Sequence, residues 1–561
     1  MTNAPALQAW LDDFFAAYYR RRPVSATFIG VHDYDHELPD YSPEGVAAMV
    51  DEVDALLRRY RALPDEPRSV AEAMDGELAA GFLEIQQWEL ASGHFQAGNP
   101  CVYTGEAIFG VISLFLRDFA PIEQRAAAAA ARMRAVPALL AQGMVALRRA
   151  PASWIERAIR ECDGGLAFLG AGVDQLIAEH GLAGDELRQA ADVAAEALTT
   201  FRGFLSNEIE ATEGGYASGP EALELYIRRG HFLEQSADEI AGYARAVMAE
   251  CRAQLEAGAQ EFGASSWREA LAGLADLHPT AEGYYRRYAE IWDACRALAE
   301  ERELLTWPEY PIRYVPQPLW AREAAPKLYF LFYRAPAAFD KIDVMDYLVT
   351  PIEPDMPAEQ QERLLRATND SVIKLNHVVH HGAIGHHVQN WHAYRAASRV
   401  GQVAAVDCAS RIAMFCGGTM AEGWACYATD LMGEVGFLTP LERYSQHHAR
   451  LRMAARALVD VELHSGRMTL DEAAAFYTDE VGMAPAASKA EAVKNSMFPG
   501  AALMYLMGTD QIYQLRGELA AREGSAFSLR AFHDRFLSYG SVPVSLIARA
   551  MLAGAEPADA A

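Results

Sequence analysis

The chain has 561 residues, 51% hydrophobic and 22% charged, a globular composition that argues against disorder and leaves room for several domain-sized units of about 100 to 200 residues each. Its 76 acidic residues against 49 Lys and Arg give a net charge of −27, which repels polyanions and excludes nucleic acid as an expected partner. No run of about 18 apolar residues occurs, so no membrane span is expected either.

The N-terminal stretch MTNAPALQAWLDDFFAAYYRRRP carries acids within its apolar part and arginines after it, the reverse of a secretory signal, and a cytoplasmic protein is expected. The seven cysteines are odd in number, scattered and without a CxxC spacing, and read as free thiols. From IEQRAAAAAARMRAVPALLAQGMVALRRA to YARAVMAECRAQLEAGAQEFG, apolar residues recur at three and four, the period of amphipathic helices. Asp163-Gly164-Gly165 and Glu213-Gly214-Gly215 read as loops between such helices. The segments LTWPEYPIRYVPQPLW, KLYFLFY and DVMDYLVTPIEP are short, aromatic or β-branched and bounded by Pro, and predict a small sheet. The expected fold is therefore mostly α with a small sheet. A soft boundary near residue 305 separates an N-terminal helical region, 1–304, from a C-terminal region, 305–561, and with no low-complexity linker between them the two halves are expected to pack as one body.

The C-terminal region holds the densest chemical signal. Nine of the 16 histidines lie between His377 and His464, and six of those fall within His377–His392. The surrounding sequence ATNDSVIKLNHVVHHGAIGHHVQNWHAYRAA is helical in composition, with Asp370 or Ser371 as N-cap. His377 and His381 share a face at the i, i+4 spacing of a zinc helix. His380 and His387 share a face too, but seven residues rise about 10.5 Å, too far for one ion. His380 and His386 point about 120° apart in a straight helix, and a bulge at Gly385 would bring them together. A further ligand has to come from another helix, and GGTMAEGWACYATDLMGEVG offers Glu422, the carboxylate that commonly accompanies two imidazoles in a catalytic zinc shell.

These residues carry a resemblance to the bacterial domain of unknown function 885 family, whose motifs HExxPGHHxQ and EGWxxY are similar to those of gluzincin-like metallopeptidases that bind zinc through two His and a Glu. His380, Gly385, His386, His387 and Gln389 match the first motif, and Glu422-Gly423-Trp424 with Tyr427 match the second. RRPVSATFIGVHDYDHELPDYSPEG, ARALVDVELHSGRMTLDEAAAFY, Pro499-Gly500 with Tyr505 and Gly508, and GSVPVSLI look like further signatures of the family in the right order. The resemblance implies a zinc or other divalent ion on His380, His386 and Glu422. It also implies a small peptide-like or amide substrate met by His387, Gln389, Trp424, Tyr427 and Lys494.

The chain departs from the family pattern at the base. Where the family has Glu after its first His, this chain has His381; Ile384 stands for the family's Pro, and Lys494-Asn495 for an Arg-Tyr pair ahead of Pro499-Gly500, with Ala501 after it. In a zinc peptidase that Glu takes the proton of the metal-bound water. His381 would have to replace it as base, or pair with His377 as a ligand. The expected function is a metal-dependent hydrolase of peptide or other amide bonds with His381 as base; the alternative is a degenerate member that binds a peptide-like ligand or metal without cleaving it. His464 and the Tyr505 hydroxyl are candidate oxyanion stabilisers. His447-His448 read as a surface pair in a polar loop, Trp391, Trp424 and Phe498 as pocket or core aromatics, and Cys426 as a thiol near Glu422.

Overall fold

In the computed structural model, which describes residues 4–328, 338–340, 342–404 and 418–555, five helices open on a Ser or Thr with Glu three residues on, and four of them complete a capping box. Ser69 with Glu72, Ser236 with Glu239, Thr439 with Glu442 and Thr469 with Glu472 each form both bonds of a capping box, satisfying amides that the first helical turn leaves open. Helices dominate. The described strands form two parallel pairs: Arg149–Pro151 with Glu210–Thr212, and Ile312–Pro316 with Met345–Val349. The second pair lies within the segments expected to form a sheet, while most of KLYFLFY lies outside the described residues. The first pair has no signal beyond three extended residues each.

The chain forms two compact units. The first holds residues up to 218 together with 317–342; the second takes 219–316, 343–407 and most of the remainder, so residue 305 falls inside the second unit. In the first, the helix Ala152–Ala167 runs straight through Asp163-Gly164-Gly165, which therefore is not a loop. The two glycines are required by packing instead. A Cβ on Gly164 would sit 2.7 Å from Leu328 Cδ2, and one on Gly165 2.8 Å from Ile108 Cδ1. Glu213-Gly214-Gly215 is a loop, with Gly215 at φ +88°. Asp340 is tied to the N-terminal part of this unit by His32 Nε2 at 2.7 Å and Arg117 Nε at 3.0 Å, while His32 Nδ1 meets Asp35 at 2.9 Å.

In the second unit, the long helix Pro440–His464 lies along Ala237–Gly258, and the helix Gly418–Glu434 lies along Met504–Glu523. The latter contact is backbone on backbone. A Cβ on Gly423 would fall 2.5 Å from Gly508 C, and one on Gly508 would overlap the Thr419 carbonyl oxygen. His447 and His448 lie inside Pro440–His464, not in a loop: the capping box at Thr439 starts the helix just ahead of LERYSQHHAR. His448 Nε2 donates to Val481 O at 2.8 Å, and its ring lies 5.2 Å from Trp267. The five described cysteines are free; Cys408 and Cys416 lie outside the described residues. No helix among the described residues is long and apolar enough to cross a membrane.

Gly508→Ala should cost about 1–3 kcal/mol of overpacking, whereas Gly517→Ala on the same helix, where a Cβ meets nothing within 4 Å, should be neutral or gain up to about 1 kcal/mol. Melting temperatures of the two variants that coincide would contradict the backbone contact. A second expectation concerns pH. Burial would lower the His32 pKa, but Asp340 and Asp35 outweigh it and hold it at about 9. A raised His pKa stabilises fully below the ordinary value near 6.5 and loses that contribution as pH rises through about 9. Melting temperature should fall across that window, and His32→Gln should flatten the fall.

Candidate metal centre

The helix carrying the histidines is not a regular α-helix. It starts with the Asn369 side chain accepting from Val372 N at 3.1 Å, one or two residues before the expected cap. Asp370 is drawn instead to Arg287, with contacts of 2.9 and 3.1 Å, and Ser371 Oγ donates to Glu442 at 3.2 Å. Residues Val372–Gly382 then wind as a π-helix, the chain breaks at Ala383 and Gly385, and a short α-helix runs from His386 to Ala393. The interruption expected at Gly385 is therefore present, but the turns before it are wider than α. Gly385 N closes on Val379 O at 2.9 Å, and a Cβ there would overlap the His380 carbonyl oxygen. Trp292 Nε1 donates to Gly382 O at 2.8 Å and Trp424 Nε1 to Ile384 O at 2.9 Å, so two indoles fix carbonyls that the break releases from helical bonding.

The fold brings His380 and His386 together. Their rings lie 4.9 Å apart and nearly perpendicular, and Nε2 of each approaches the same atom, Glu422 Oε2, at 3.5 and 3.6 Å. These separations are too long for hydrogen bonds. Two ligands on one tetrahedral ion with bonds of about 2.0–2.1 Å would lie about 3.3 Å apart, close to what is observed. Glu422 Oε2 is buried and has no hydrogen-bond partner among the described residues. His386 Nδ1 faces Gln389 Oε1 at 3.4 Å, and Gln389 in turn donates to Ser541 Oγ. That orientation leaves His386 Nε2 directed at the carboxylate. His381 joins the group, with its ligand atom and those of His380 and His386 all within 4.8 Å of one another, and its Nδ1 donates to Asn376 O at 2.7 Å. The donor set of three imidazoles and a carboxylate fits a divalent cation such as zinc.

Electrostatics favour the unprotonated donors. Burial lowers the His380 pKa against the pull of Glu422, with help from His386 and Arg452. Burial, followed by His380 and His386, holds His381 well below the ordinary imidazole value. For Glu422 burial opposes ionisation, but the two imidazoles outweigh it and the carboxyl stays well below its usual range.

Several expected residues stand elsewhere. His377 turns to the small sheet, with Nδ1 2.8 Å from the Tyr347 hydroxyl, and burial lowers its pKa to about 4. It does not share the group formed by His380, His381 and His386. His387 is fully buried, stacked on Tyr310 at 4.6 Å and donating from Nε2 to Tyr310 O at 2.7 Å. Trp424 and Tyr427 are likewise fully buried, Tyr427 binding His533 Nε2 at 2.8 Å, and neither exposes surface to a substrate. His464 is buried and donates to Asn495 O at 3.0 Å, close to Asp460, which accepts from the amides of Gly500, Ala502 and Leu503. Lys494 lies beside Glu491; burial would raise that carboxyl, but Arg456 and Lys494 bring it down to about 2. Tyr505 sits under the Arg456 guanidinium, 4.9 Å from its ring centre. Cys426, one turn after Glu422, is buried, and burial pushes its thiol well above the ordinary value. Trp391 stacks under Arg395 at 4.2 Å, and Phe498 is core.

One residue went unnoticed in the sequence. Arg452 lies in the long helix, and its charge acts on both His380 and Cys426. Its signal was the absence of any acidic residue three or four positions away, with a second arginine, Arg456, at i+4.

The family described as bacterial protein of unknown function (DUF885) matches residues 23–551. The chain belongs to this family. Two solved structures share the fold of this DUF885 member, both at a TM-score of 0.76 and covering 98% of this chain and 99% of their own. One is a candidate lipoprotein of unknown function from Shewanella oneidensis, 21% identical, and the other a candidate lipoprotein from Colwellia psychrerythraea, 18% identical. No curated protein matches the chain.

Gly385→Ala should destabilise by about 3 kcal/mol or more, because the added carbon overlaps a backbone oxygen that cannot rotate away. Urea unfolding is the measurement, and a midpoint equal to that of the unsubstituted protein would refute the close approach.

Proposed function

We propose that the protein is a metal-dependent hydrolase of peptide or other amide bonds, its cation held by His380, His386 and Glu422, with His381 in the place of the general base. The observation that carries the reading is Glu422 Oε2, a buried oxygen without a hydrogen-bond partner among the described residues, set 3.5 and 3.6 Å from two imidazole nitrogens. A buried carboxylate oxygen with no donor is costly unless something positive answers it. A bound divalent ion would lower the pKa of a coordinated water and polarise a carbonyl. His381, its Nδ1–H fixed on Asn376 O, presents Nε2 toward the same centre, where it can take a proton from a nucleophilic water. Burial and the neighbouring imidazoles make it a weaker base than an ordinary histidine.

A second reading rests on the same residue. With its ligand atom inside the donor group, His381 can complete a four-ligand closed centre, and the protein would then bind a peptide-like ligand without cleaving it. For location, the similar solved structures are candidate lipoproteins, and cell fractionation tests whether this chain is attached to a membrane.

Protein purified without a polyhistidine tag or added metal should carry close to one equivalent of zinc or another divalent ion by elemental analysis, and His386→Ala should lose it. Less than about a tenth of an equivalent after zinc is offered would overturn the three-ligand centre. His381→Glu should raise hydrolysis of short peptides and N-acyl amino acids by about 10²- to 10⁴-fold, the usual contribution of a general base. If neither form cleaves any of them while zinc is bound, the non-hydrolytic reading replaces the first.

A further inference from the structure

The stretch GSVPVSLI, Gly540–Ile547, reaches both helices that carry the metal donors. Gly540 turns at φ +82°, where a Cβ would fall 2.7 Å from Ala396 Cβ, and Ser541 N then donates to Gly401 O at 3.1 Å. Ser541 Oγ accepts from Gln389 Nε2, and the other end of that amide, Oε1, faces His386 Nδ1 at 3.4 Å. Three residues on, Val544 opens the helix Val544–Leu552. Its amide, which a first helical turn leaves without a partner, donates to Thr419 Oγ1 at 3.3 Å. Thr419 stands in the Glu422 helix one turn ahead of the carboxylate. One short loop thus reaches His386 through Gln389 and the Glu422 helix through Thr419.

Gln389 and Ser541 are fully buried, so Gln389 offers no surface to a substrate, and both ends of its amide are used inside the protein. That use has a direction. An amide has a donor end and an acceptor end, and once the nitrogen is given to Ser541 it is the oxygen that meets the ring. An oxygen beside Nδ1 favours the tautomer with the proton on Nδ1 and the lone pair on Nε2, the nitrogen 3.6 Å from Glu422 Oε2. Only a nitrogen with a free lone pair can hold a cation. The 3.4 Å contact is longer than an ordinary hydrogen bond, so the amide steers the ring through its dipole and depends on Ser541 to hold that dipole in place. His381 is held differently: its Nδ1 donates to a main-chain carbonyl, Asn376 O at 2.7 Å, which no substitution removes.

We infer that Gln389 is a positioning residue of the metal centre: anchored on Ser541, it keeps the His386 proton on Nδ1 and leaves Nε2 free for the cation. The same loop, through Val544 and Thr419, fixes the Glu422 helix. The inference rests on the metal-binding part of the proposed function and assigns no step of hydrolysis to Gln389. Partners in this outer position commonly change metal affinity by about 10- to 100-fold when removed.

Competition of the full-length protein against a chelating zinc dye reads the affinity. Gln389→Met, which keeps the length of the side chain without the amide, should weaken zinc binding by about 10- to 100-fold. Gln389→Glu, which keeps an oxygen for Nδ1–H, should bind zinc within about threefold of the unsubstituted protein or more tightly, and Ser541→Ala, which frees the amide to turn, should weaken binding about threefold or more. A role in packing alone would not be rescued by Glu, which buries a charge. Equal losses in Gln389→Met and Gln389→Glu would therefore overturn the inference, as would an unchanged affinity in Gln389→Met or Ser541→Ala. Nuclear magnetic resonance of the unsubstituted, zinc-loaded protein decides the matter where a variant does not fold: His386 should show an Nδ1–H proton protected from exchange with water, and a rapidly exchanging one would overturn the inference. Absence of zinc from the unsubstituted protein would overturn the metal centre and this inference with it, whereas zinc bound without turnover would remove only the hydrolase.

Discussion

A carboxylate oxygen buried without a donor is the constraint on which the site depends. Among the described residues Glu422 Oε2 is answered by imidazole nitrogens at 3.5 and 3.6 Å, and imidazoles six residues apart cannot meet there from a straight helix. The chain meets the requirement by widening the turns before His380 and breaking after Gly382. The break exposes carbonyls, and Trp292 and Trp424 take them up. It also brings backbone so close to backbone that only glycine fits at 385. Each of these features follows from the need to place two rings on one oxygen.

The Glu422 side is fixed by different means. Gly423 and Gly508 let two helices touch along their backbones, and Glu422, next to the contact, has little room to shift. The start of the π-helix is joined to the long arginine-bearing helix through Glu442, which accepts from Thr439 N at 2.8 Å, from Lys374 Nζ at 2.8 Å and from Ser371 Oγ. One carboxylate thus caps a helix and fastens a second one. The elements that carry the donor group and Arg452 are held by short local bonds as well as by the apolar core.

Much of this was legible in the sequence, for identifiable reasons. Helices were readable from their period, the Tyr314 and Tyr347 strands from β-branched and aromatic residues between prolines, and the His380, His386 and Glu422 group from residue chemistry together with family motifs. What was not legible depended on distant contacts. Gly164 and Gly165 look like a loop until Leu328 and Ile108 are seen pressed against them. His448 looks exposed until Val481 and Trp267 supply a partner and a neighbour. His387, Trp424 and Tyr427 carry motif identities that suggest ligand contact, yet burial gives them supporting roles. The register of the π-helix has no sequence code of its own, because it is set by how the break downstream is held.

The π-helix has a consequence for how such a site tolerates change. A wider turn stores an extra residue without lengthening the segment, and it narrows the angle between consecutive side chains. His380 and His381 therefore share one side of the helix, where ordinary winding would spread them farther apart. Removing a single residue anywhere between Asn369 and Val379 would let the segment relax to α winding and rotate the His380 ring off Glu422, even if every ligand residue were kept. The centre is thus more sensitive to the length of this segment than to the identity of its exposed side chains, and a relative with one residue fewer here could keep the motif letters and still lack the centre.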